Sequence, residues 1–287
     1  MVRLNLPVPP GFIIASECCI DYLKYEGKEK QNRLSEQLIA DYKRAISDLE
    51  IQTNKKFGGE FDPKETREPL LLAVRAGAAV NMPKLMGTVL NVGINDQIVD
   101  YMTQSSMNPK WSYDTYRRFL QMFGNVVLNM DLKPYEDIMI NIRRNRGVEH
   151  DSQLTAEDFK EIVKHFKLLA SVPDDPWEQL HMAIEAVFRS WTSPRAVKHC
   201  EIHNISRDLG SAVTVQSMVY GNLNDYSGAG VAYTRNPITG EKKVYGEYLI
   251  NAMVQYNNCI FSVCHIGVGS RAVDTSGMLI SPFAYVC

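Results

Sequence analysis

The segment spanning residues 70–91 limits what this chain can fold into more than any other stretch. Its apolar run, residues 70–74, predicts a buried strand that delivers Arg75 into a stretch of small residues including Gly77. A guanidinium presents a fixed fork of donors that matches phosphate oxygens, and small residues let a ligand approach the backbone. The pattern therefore predicts an anion site at a strand end. Because no Walker-type phosphate loop is present, the alternative is a buried strand with Arg75 in an ordinary ion pair.

Composition is that of an ordinary soluble protein. Of the 287 residues, 45% are apolar and 22% are charged, and the length suits two domains or one large domain with an insertion. The net charge of -2 gives no support to a nucleic-acid partner, which usually requires a basic excess. No apolar run approaches the roughly 20 residues that span a bilayer, so we expect no membrane segment. The N-terminus has no apolar signal core, and we expect mature sequence there.

The cysteines and histidines do not follow a metal-binding pattern. None of the six cysteines forms a CxxC pair or lies with histidines at zinc-site spacing, so we expect reduced thiols in a cytosolic protein. His199 and His203 have the spacing of a helical metal pair, but no acidic or cysteine partner accompanies them. We therefore expect surface or core histidines and predict no metal ligand.

Apolar residues at helical spacing predict a long helical region over residues 96–191, with earlier helices at residues 16–25 and 31–51. Thr155 and Asp158 form a capping box in its Asp form, which predicts the start of a helix. The apolar stripes are assigned to the core. Other helices within the region are predicted at residues 112–127, 134–146 and 177–191.

The character of the sequence changes near Ser211, where β-branched residues become frequent. A first link between the predicted strands contains residues 227–230, a glycine-rich turn whose backbone N–H groups could fold over phosphates. The alternative is a hairpin turn that needs positive φ. Both links are short and rich in turn residues, so the strands are predicted to form a β-meander. The predicted strands cover residues 212–220, 231–235 and 243–250.

Four long motifs occur in a fixed order: VRAGAAVNMPKLMGTVLNVGIND, YDTYRRFLQMFGNVV, AIEAVFRSWTSPRAV and VQSMVYGNLNDYSGAGVAYTRNPITGEKKVYGEYLINA. Together they resemble the N-terminal nucleotide-binding portion of the pyruvate phosphate dikinase family. The resemblance extends over roughly residues 4–252. The phosphoenolpyruvate synthases share the general pattern, but the Tyr-Arg-Arg-Phe and Thr-Arg-Asn-Pro-x-Thr-Gly-Glu runs resemble the dikinases more closely.

The resemblance implies an ATP-grasp fold and a phosphotransfer reaction. The family converts ATP, phosphate and pyruvate into AMP, diphosphate and phosphoenolpyruvate. ATP passes its terminal groups to a histidine on a separate swivelling domain, and that histidine then serves a pyruvate site on a C-terminal barrel. Such transfer relies on charge neutralisation and positioning more than on covalent help from the protein. The resemblance implies Mg²⁺ as the partner of the polyphosphate, and it is compatible with a homodimer in the full-length form.

For the phosphates, the resemblance implies two arginines and a glycine loop. Arg75 matches the family arginine that binds the polyphosphate, and Arg118, the second arginine of Tyr-Arg-Arg-Phe, matches another phosphate-site arginine. The alternative for Arg118 is an ion pair on a helix surface. Gly228 and Gly230 match the glycine loop over the phosphates. Glu247, in the matching Tyr-Gly-Glu run, is a further candidate ligand.

For the base, the resemblance implies the segment that faces adenine in ATP-grasp folds. Gln216, Met218 and Val219 match it, and the two apolar side chains suit a flat base, although they also suit a strand core. Thr234 and Arg235 follow on the next predicted strand as candidate ligands. The alternative for this last pair is a solvent-facing strand edge.

Several features of the family are changed or missing. A Gly-Gly-Lys-Gly segment with an ATP-contacting lysine is expected just before Leu4 and does not occur. Lys84 and Gly87 replace a glycine and an aspartate of the usual Met-Pro-Gly-Met-Met-Asp run. After Ala252 comes a tail without family likeness, so the acidic metal ligands, the Gln-Thr-Arg strand and the carrier histidine are not found. We therefore expect that the chain alone does not complete the reaction. The alternatives are a nucleotide-binding remnant and a non-functional truncated product.

We expect an α+β chain with an incomplete, ATP-grasp-like two-lobe fold, a helical insertion and an antiparallel β-meander. A cytoplasmic location is expected, with an organellar one as the alternative. The expected parts are residues 1–95 as the first part of the nucleotide-binding lobe, 96–191 as the helical insertion, 192–252 as the second part with the glycine loop, and 253–287 as the non-family tail.

Overall fold

A computed structural model of the chain describes residues 8–25, 34–59, 67–77, 87–251, 262–266 and 284–286. Helices and strands are both present, which confirms the α+β class. The chain forms two compact units. One unit is Gly11–Ser217, and the other combines Met1–Pro10 with Met218–Cys287. The four-part division expected from the sequence stays a prediction.

The first unit, Gly11–Ser217, contains the helices and the earlier strands of the chain. Its strands are β1 (Gly11–Ile14), β2 (Lys55–Lys56), β3 (Glu68–Pro69), β4 (Leu72–Gly77), β5 (Thr88–Val92) and β6 (Ala212–Ser217). Its helices are α1 (Ser16–Tyr25), α2 (Glu36–Thr53), α3 (Asp96–Ser106), α4 (Pro109–Val126), α5 (Lys133–Arg146), α6 (Ala156–Leu169), α7 (Pro176–Ser190) and α8 (Pro194–His203).

The helical predictions are confirmed in outline. α1 has the predicted bounds, and α3 to α7 occupy the predicted helical region. The capping box at the start of α6 is complete, because Thr155 and Asp158 each accept a hydrogen bond from the backbone of the other. α8 continues beyond the predicted region, since Ser193 accepts a hydrogen bond from the Ala196 N–H and Pro194 suits the first helical turn.

The first unit is organised around an antiparallel sheet with the strand order β1-β6-β4-β5. Val74, Val89 and Val215 lie in register across three of these strands and are fully buried. α7 packs against β4, β5 and β6. Successive side chains of a strand point to opposite faces, so Arg75 and Thr214 lie on the face opposite these valines. The predicted strand at residues 70–75 is therefore real, shifted to Leu72–Gly77.

The predicted β-meander over residues 212–250 is wrong. β6, its first strand, pairs with β4 and β1, whereas the next two strands belong to a different sheet. The cause is that the hydrogen-bond partners of a strand are set by tertiary packing, and the link over residues 218–227 does not hold β7 beside β6. Alternation of valines with Thr214 and Gln216 indicates a half-buried strand but does not name its neighbours.

The second unit contains an antiparallel sheet with the strand order β10-β9-β7-β8. β7 and β8 come from the family-like part of the chain, whereas β9 and β10 come from the tail expected after residue 252. Every residue of β8 is exposed. The bounds are β7 (Gly228–Tyr233), β8 (Tyr245–Ile250), β9 (Ser262–Ile266) and β10 (Ala284–Val286).

Candidate functional site

Arg75 lies on β4, an inner strand of the first sheet, between two threonines. It pairs with Thr214 on β6 and with Thr88 on β5, and Thr214 pairs in turn with Ile13 on β1. Paired residues of antiparallel strands have their side chains on the same face. These four side chains therefore form one row across the sheet, on the face opposite the buried valines. Ile13, at the end of the row, is 69% exposed.

The Arg75 side chain is half-buried and unsatisfied. Its Nε atom is buried and finds no hydrogen-bond acceptor among the residues that the structure describes. An unpaired buried donor costs about 1–3 kcal/mol, which a folded protein rarely carries without a reason. The ordinary ion pair that formed the alternative reading of Arg75 is not observed within this described part of the chain. The arrangement is one that an anion would complete.

Arg118 has a different environment, on α4. Its Nε atom donates to Asp114 Oδ2 at 2.8 Å, while Arg117 donates to Asp114 Oδ1 through Nε at 2.9 Å. Burial alone would raise the pKa of Asp114, but the charges and hydrogen bonds of the two arginines hold that pKa below its ordinary value of 3.8. The helix ion pair that formed the alternative for Arg118 is therefore present in this structure.

Arg118 and Arg75 do not share a partner within the residues described. The face of α4 that carries Arg118 continues to Met122 and Val126, and Leu90 N donates to Met122 Sδ at 3.2 Å. Val126 occupies the space where a side chain on Gly87 would project. Gly87 immediately precedes Thr88, which pairs with Arg75. Arg118 lies two helical turns, about 12 Å, from Val126 toward the start of α4. The two predicted phosphate arginines therefore sit at different places along β5.

Gln216 lies on the same sheet face as Arg75. It pairs with Ala73, two residues before Arg75 on β4, so the two side chains are diagonal neighbours about 7–8 Å apart. Met218 and Val219 follow the end of β6 and belong to the second unit. Met218 is buried and Val219 is half-buried. Of the three residues predicted for the base, the structure associates Gln216 with Arg75.

The predicted glycine loop is a strand in this structure. Gly228 and Gly230 lie on β7, and neither has positive φ, so both the loop and the positive-φ turn are corrected. The physical reason is close strand approach: a Cβ atom on Gly230 would lie 2.6 Å from the Glu247 carbonyl oxygen on β8. At that distance a side chain would push the strands apart.

The remaining candidates are exposed residues of the second unit. Thr234 and Arg235 follow β7, and Arg235 Nη1 donates to the Gly240 carbonyl oxygen at 3.3 Å. Glu247 lies on β8 opposite Val231. Their predicted ligand roles stay predictions, and the solvent-facing alternative for Thr234 and Arg235 agrees with their exposure.

Metal-binding side chains do not cluster in the described part of the chain. There, no group of three or more His, Cys, Asp or Glu side chains is arranged to hold an ion. The rings of His199 and His203 lie 4.2 Å apart on α8. Cys18, Cys19 and Cys200 are free thiols, and burial raises the pKa of Cys19.

The two threonines beside Arg75 were missed at the sequence level. The signal that could have found Thr214 is the period of two in residues 212–217, which separates Thr214 and Gln216 from the buried valines. No comparable signal identifies Thr88, because its place beside Arg75 depends on the register between β4 and β5.

Comparison with known protein families matches residues 1–256 to the family described as "Pyruvate phosphate dikinase, AMP/ATP-binding domain". The chain belongs to this family. The resemblance inferred from the sequence motifs is confirmed, and the matched region includes every candidate residue named above. Within the described residues, no helix combines the length and apolar character needed to cross a membrane.

Similar curated proteins are named pyruvate, phosphate dikinases. The chain is 42% identical over 259 residues to the enzyme of Clostridium symbiosum, an alignment that covers 88% of the chain and 28% of that protein. It is 43% identical over 258 residues to the chloroplastic enzyme of Mesembryanthemum crystallinum, covering 88% of the chain and 26% of that protein. The Rhizobium meliloti enzyme is 41% identical over 258 residues. The chain thus spans little more than a quarter of the length of these dikinases.

Proposed function

We propose that this chain is the nucleotide-binding portion of a pyruvate phosphate dikinase and binds ATP through its polyphosphate, with Arg75 as the principal contact. The observation that carries the proposal is the buried Nε of Arg75 on an inner strand, which has no acceptor within the described part of the chain. A phosphate oxygen would supply the missing acceptor and a countercharge together. Membership of a family defined by AMP/ATP binding supports the same ligand.

The other site roles are part of the same proposal, within an ATP-grasp arrangement. We assign Gln216, Met218 and Val219 to the adenine side and Gly228 and Gly230 to the phosphate side. Arg118 donates to Asp114 through Nε in this structure, so a contact with the ligand would use its terminal Nη atoms. The exposed candidates Thr234, Arg235 and Glu247 complete the proposed set.

Among the described residues, the sheet face around Arg75 offers no carboxylate ligand for Mg²⁺. The ion prefers carboxylate oxygens, whereas the described residues paired along this face are Thr88, Thr214, Gln216 and small or apolar residues. These residues do not fit a protein-held Mg²⁺. We propose that Mg²⁺ arrives bound to the polyphosphate of ATP, whose oxygens supply its ligands.

The whole reaction requires more than this chain. We propose that in the family protein the phosphoryl group passes to a carrier histidine, which delivers it to a pyruvate-binding barrel. The chain aligns with only 28% of the Clostridium symbiosum enzyme, so we expect no turnover from it alone. A coupled assay for AMP and phosphoenolpyruvate tests this expectation, and any turnover by the isolated chain contradicts it.

The oligomeric state and the location of the complete protein stay predictions. A homodimer is predicted for the full-length form, and a cytoplasmic location is predicted for the protein. Similar enzymes from Mesembryanthemum crystallinum and Arabidopsis thaliana carry "chloroplastic" in their names, which supports an organellar location as the alternative. The second candidate function, a binding remnant without catalysis, is supported by the small share of the relatives that the chain spans.

Titration calorimetry with Mg-ATP tests the binding proposal. Arg75→Ala should weaken binding about tenfold or more, because it removes a charge-assisted contact, and Arg75→Lys should retain part of the affinity. Arg44→Ala is the matched control, since Arg44 is 76% exposed and pairs only loosely with Asp41 at 3.8 Å. No binding by the wild-type chain, or equal binding by wild type and Arg75→Ala, would contradict the proposal.

A further inference from the structure

Two hydroxyl groups flank Arg75 on the face of the first sheet opposite the buried valines. Thr214 is its direct partner on β6, and Thr88 is its direct partner on β5. Directly opposite residues of antiparallel strands have Cβ atoms about 4.5–5.5 Å apart, so the two hydroxyls can contact different parts of a ligand held by Arg75. The row is polar over three strands and becomes apolar at Ile13 on β1.

Neither hydroxyl has a hydrogen-bond partner within the part of the chain that the structure describes. Thr88 and Thr214 form no hydrogen bond there through their side chains, and Arg75 Nε is likewise without an acceptor. Threonine is common in strands for reasons of propensity alone. That preference explains the residue type, but it does not explain an unpaired buried guanidinium nitrogen placed between two unpaired hydroxyls.

Gly77 keeps the space beside Thr214 open. A Cβ atom on Gly77 would lie 3.7 Å from Thr214 Oγ1, an ordinary contact that a methyl group could occupy. Gly77 does not have positive φ, so the backbone of β4 does not require glycine there. The absence of a side chain therefore leaves room for a ligand atom at this hydroxyl.

The distance between Thr214 and Thr88 indicates the shape of ligand that can contact both. Neighbouring strands lie about 4.8 Å apart, so Thr214 and Thr88 are separated by about 10 Å across β4. One phosphoryl group at Arg75 cannot reach both hydroxyls over that span, whereas linked phosphoryl groups can follow it. Hydroxyl donors at both ends and a guanidinium at the centre match such a chain of anionic oxygens.

We propose that Thr214, Arg75 and Thr88 form a binding row for a linear polyphosphate that lies across β6, β4 and β5. The inference rests on the proposed function and extends it, because it assigns two further contacts and the direction of the polyphosphate. The two threonines act by donating their hydroxyl hydrogens to phosphate oxygens on either side of the group held by Arg75.

Calorimetric titration of the full chain with phosphate, tripolyphosphate and Mg-ATP tests the row. Wild type should bind tripolyphosphate and Mg-ATP more tightly than phosphate. Thr214→Val and Thr88→Val, which keep the side-chain shape, should each weaken tripolyphosphate binding about tenfold, the usual effect of losing a hydrogen bond to a charged group. Thr214→Ser and Thr88→Ser, which keep the hydroxyl, should bind like wild type.

Two further variants separate binding from folding. Gly77→Ala should weaken tripolyphosphate binding without lowering the melting temperature, because its methyl group meets Thr214 Oγ1 at an ordinary distance. Thr103→Val is the matched control: the Thr103 hydroxyl is buried on α3 without a partner, away from the row. Its binding should equal that of wild type. If a valine variant of the row fails to fold, the binding results for Gly77→Ala and the serine variants decide whether the row binds polyphosphate.

The outcomes distinguish this inference from the proposed function. If wild type binds Mg-ATP and Arg75→Ala does not, while both valine variants and Gly77→Ala bind normally, the row is overturned and the proposed function stands. Equal affinity for phosphate and tripolyphosphate also overturns the row. If wild type binds no Mg-ATP, both proposals fail together.

Discussion

The two antiparallel sheets of this chain differ in what their side chains bury. In the first unit, Val74, Val89 and Val215 are completely buried, and α7 packs against three of the strands. In the second unit, Tyr248 and Leu249 on β8 are 64% and 65% exposed. Burial of apolar side chains is the main favourable term in folding. The first sheet therefore has its own core, whereas β8 depends chiefly on backbone pairing with β7.

This difference has a functional consequence. The unpaired Arg75 and the two threonines beside it all lie in the first unit, whose core holds their strands in register. A binding site on a rigid sheet keeps its geometry without help from the ligand. The binding proposals are therefore testable on residues of the well-packed unit.

A matched pair of leucines should give the largest effect. Leu180 on α7 is fully buried, so Leu180→Ala should lower the free energy of unfolding by about 2–5 kcal/mol through lost burial and a cavity. Leu249→Ala on β8 should change it by less than about 0.5 kcal/mol. Chemical denaturation measures both. Similar losses for the two variants would abolish the contrast between the sheets.

Asp114 should be the next most sensitive position. Asp114→Asn removes the carboxylate that Arg117 and Arg118 share and should cost about 1.5–3 kcal/mol at pH 7. Because the pKa of Asp114 is lowered in the folded state, its contribution is present above pH 3.8 and is lost as pH falls through the folded pKa.

The difference in unfolding free energy between wild type and Asp114→Asn should therefore shrink below about pH 4. Glu247→Gln, the same change on exposed β8, is the control and should alter stability by less than about 0.5 kcal/mol. A wild-type advantage that stays constant down to low pH would show that the ion pair is not its source.

Gly230→Ala tests whether backbone pairing holds β8. The new Cβ would meet the Glu247 carbonyl oxygen at 2.6 Å, so we expect a loss of about 1–3 kcal/mol and faster hydrogen exchange of β8 amides. Gly77→Ala is the control in the first sheet, where the nearest contact is 3.7 Å. If hydrogen exchange of the β8 amides were unchanged in Gly230→Ala, the close approach of β7 and β8 would not require glycine at this position.

Arg75→Met should give the smallest change and the opposite sign. Replacing a half-buried guanidinium whose Nε is unpaired should stabilise the ligand-free chain by about 1 kcal/mol while removing Mg-ATP binding. Thermal melts with and without Mg-ATP measure both effects. A destabilised variant would indicate that Arg75 supports the fold and is not kept for a ligand.

Features that depend on residues close in sequence were predicted better than contacts between residues far apart in the chain. The α1 bounds and the capping box at Thr155 follow from residues close in sequence, and both were correct. The partners of β6, the strand position of Gly230 and the row of Thr88 beside Arg75 depend on residues far apart in the chain. Spacing carries no direct information on such contacts, so the sequence pointed to Arg75 but not to the two threonines paired with it.

The contact between Gly87 and Val126 makes one departure from the family hard to reverse. The resemblance leads us to expect aspartate where Gly87 stands, but a Cγ atom of Val126 already occupies the space that its Cβ would need. Valine in a helix has one strongly preferred rotamer, so it cannot easily turn aside. Aspartate at position 87 would therefore require Val126 to shift or to be replaced, so the residues at these two positions depend on each other.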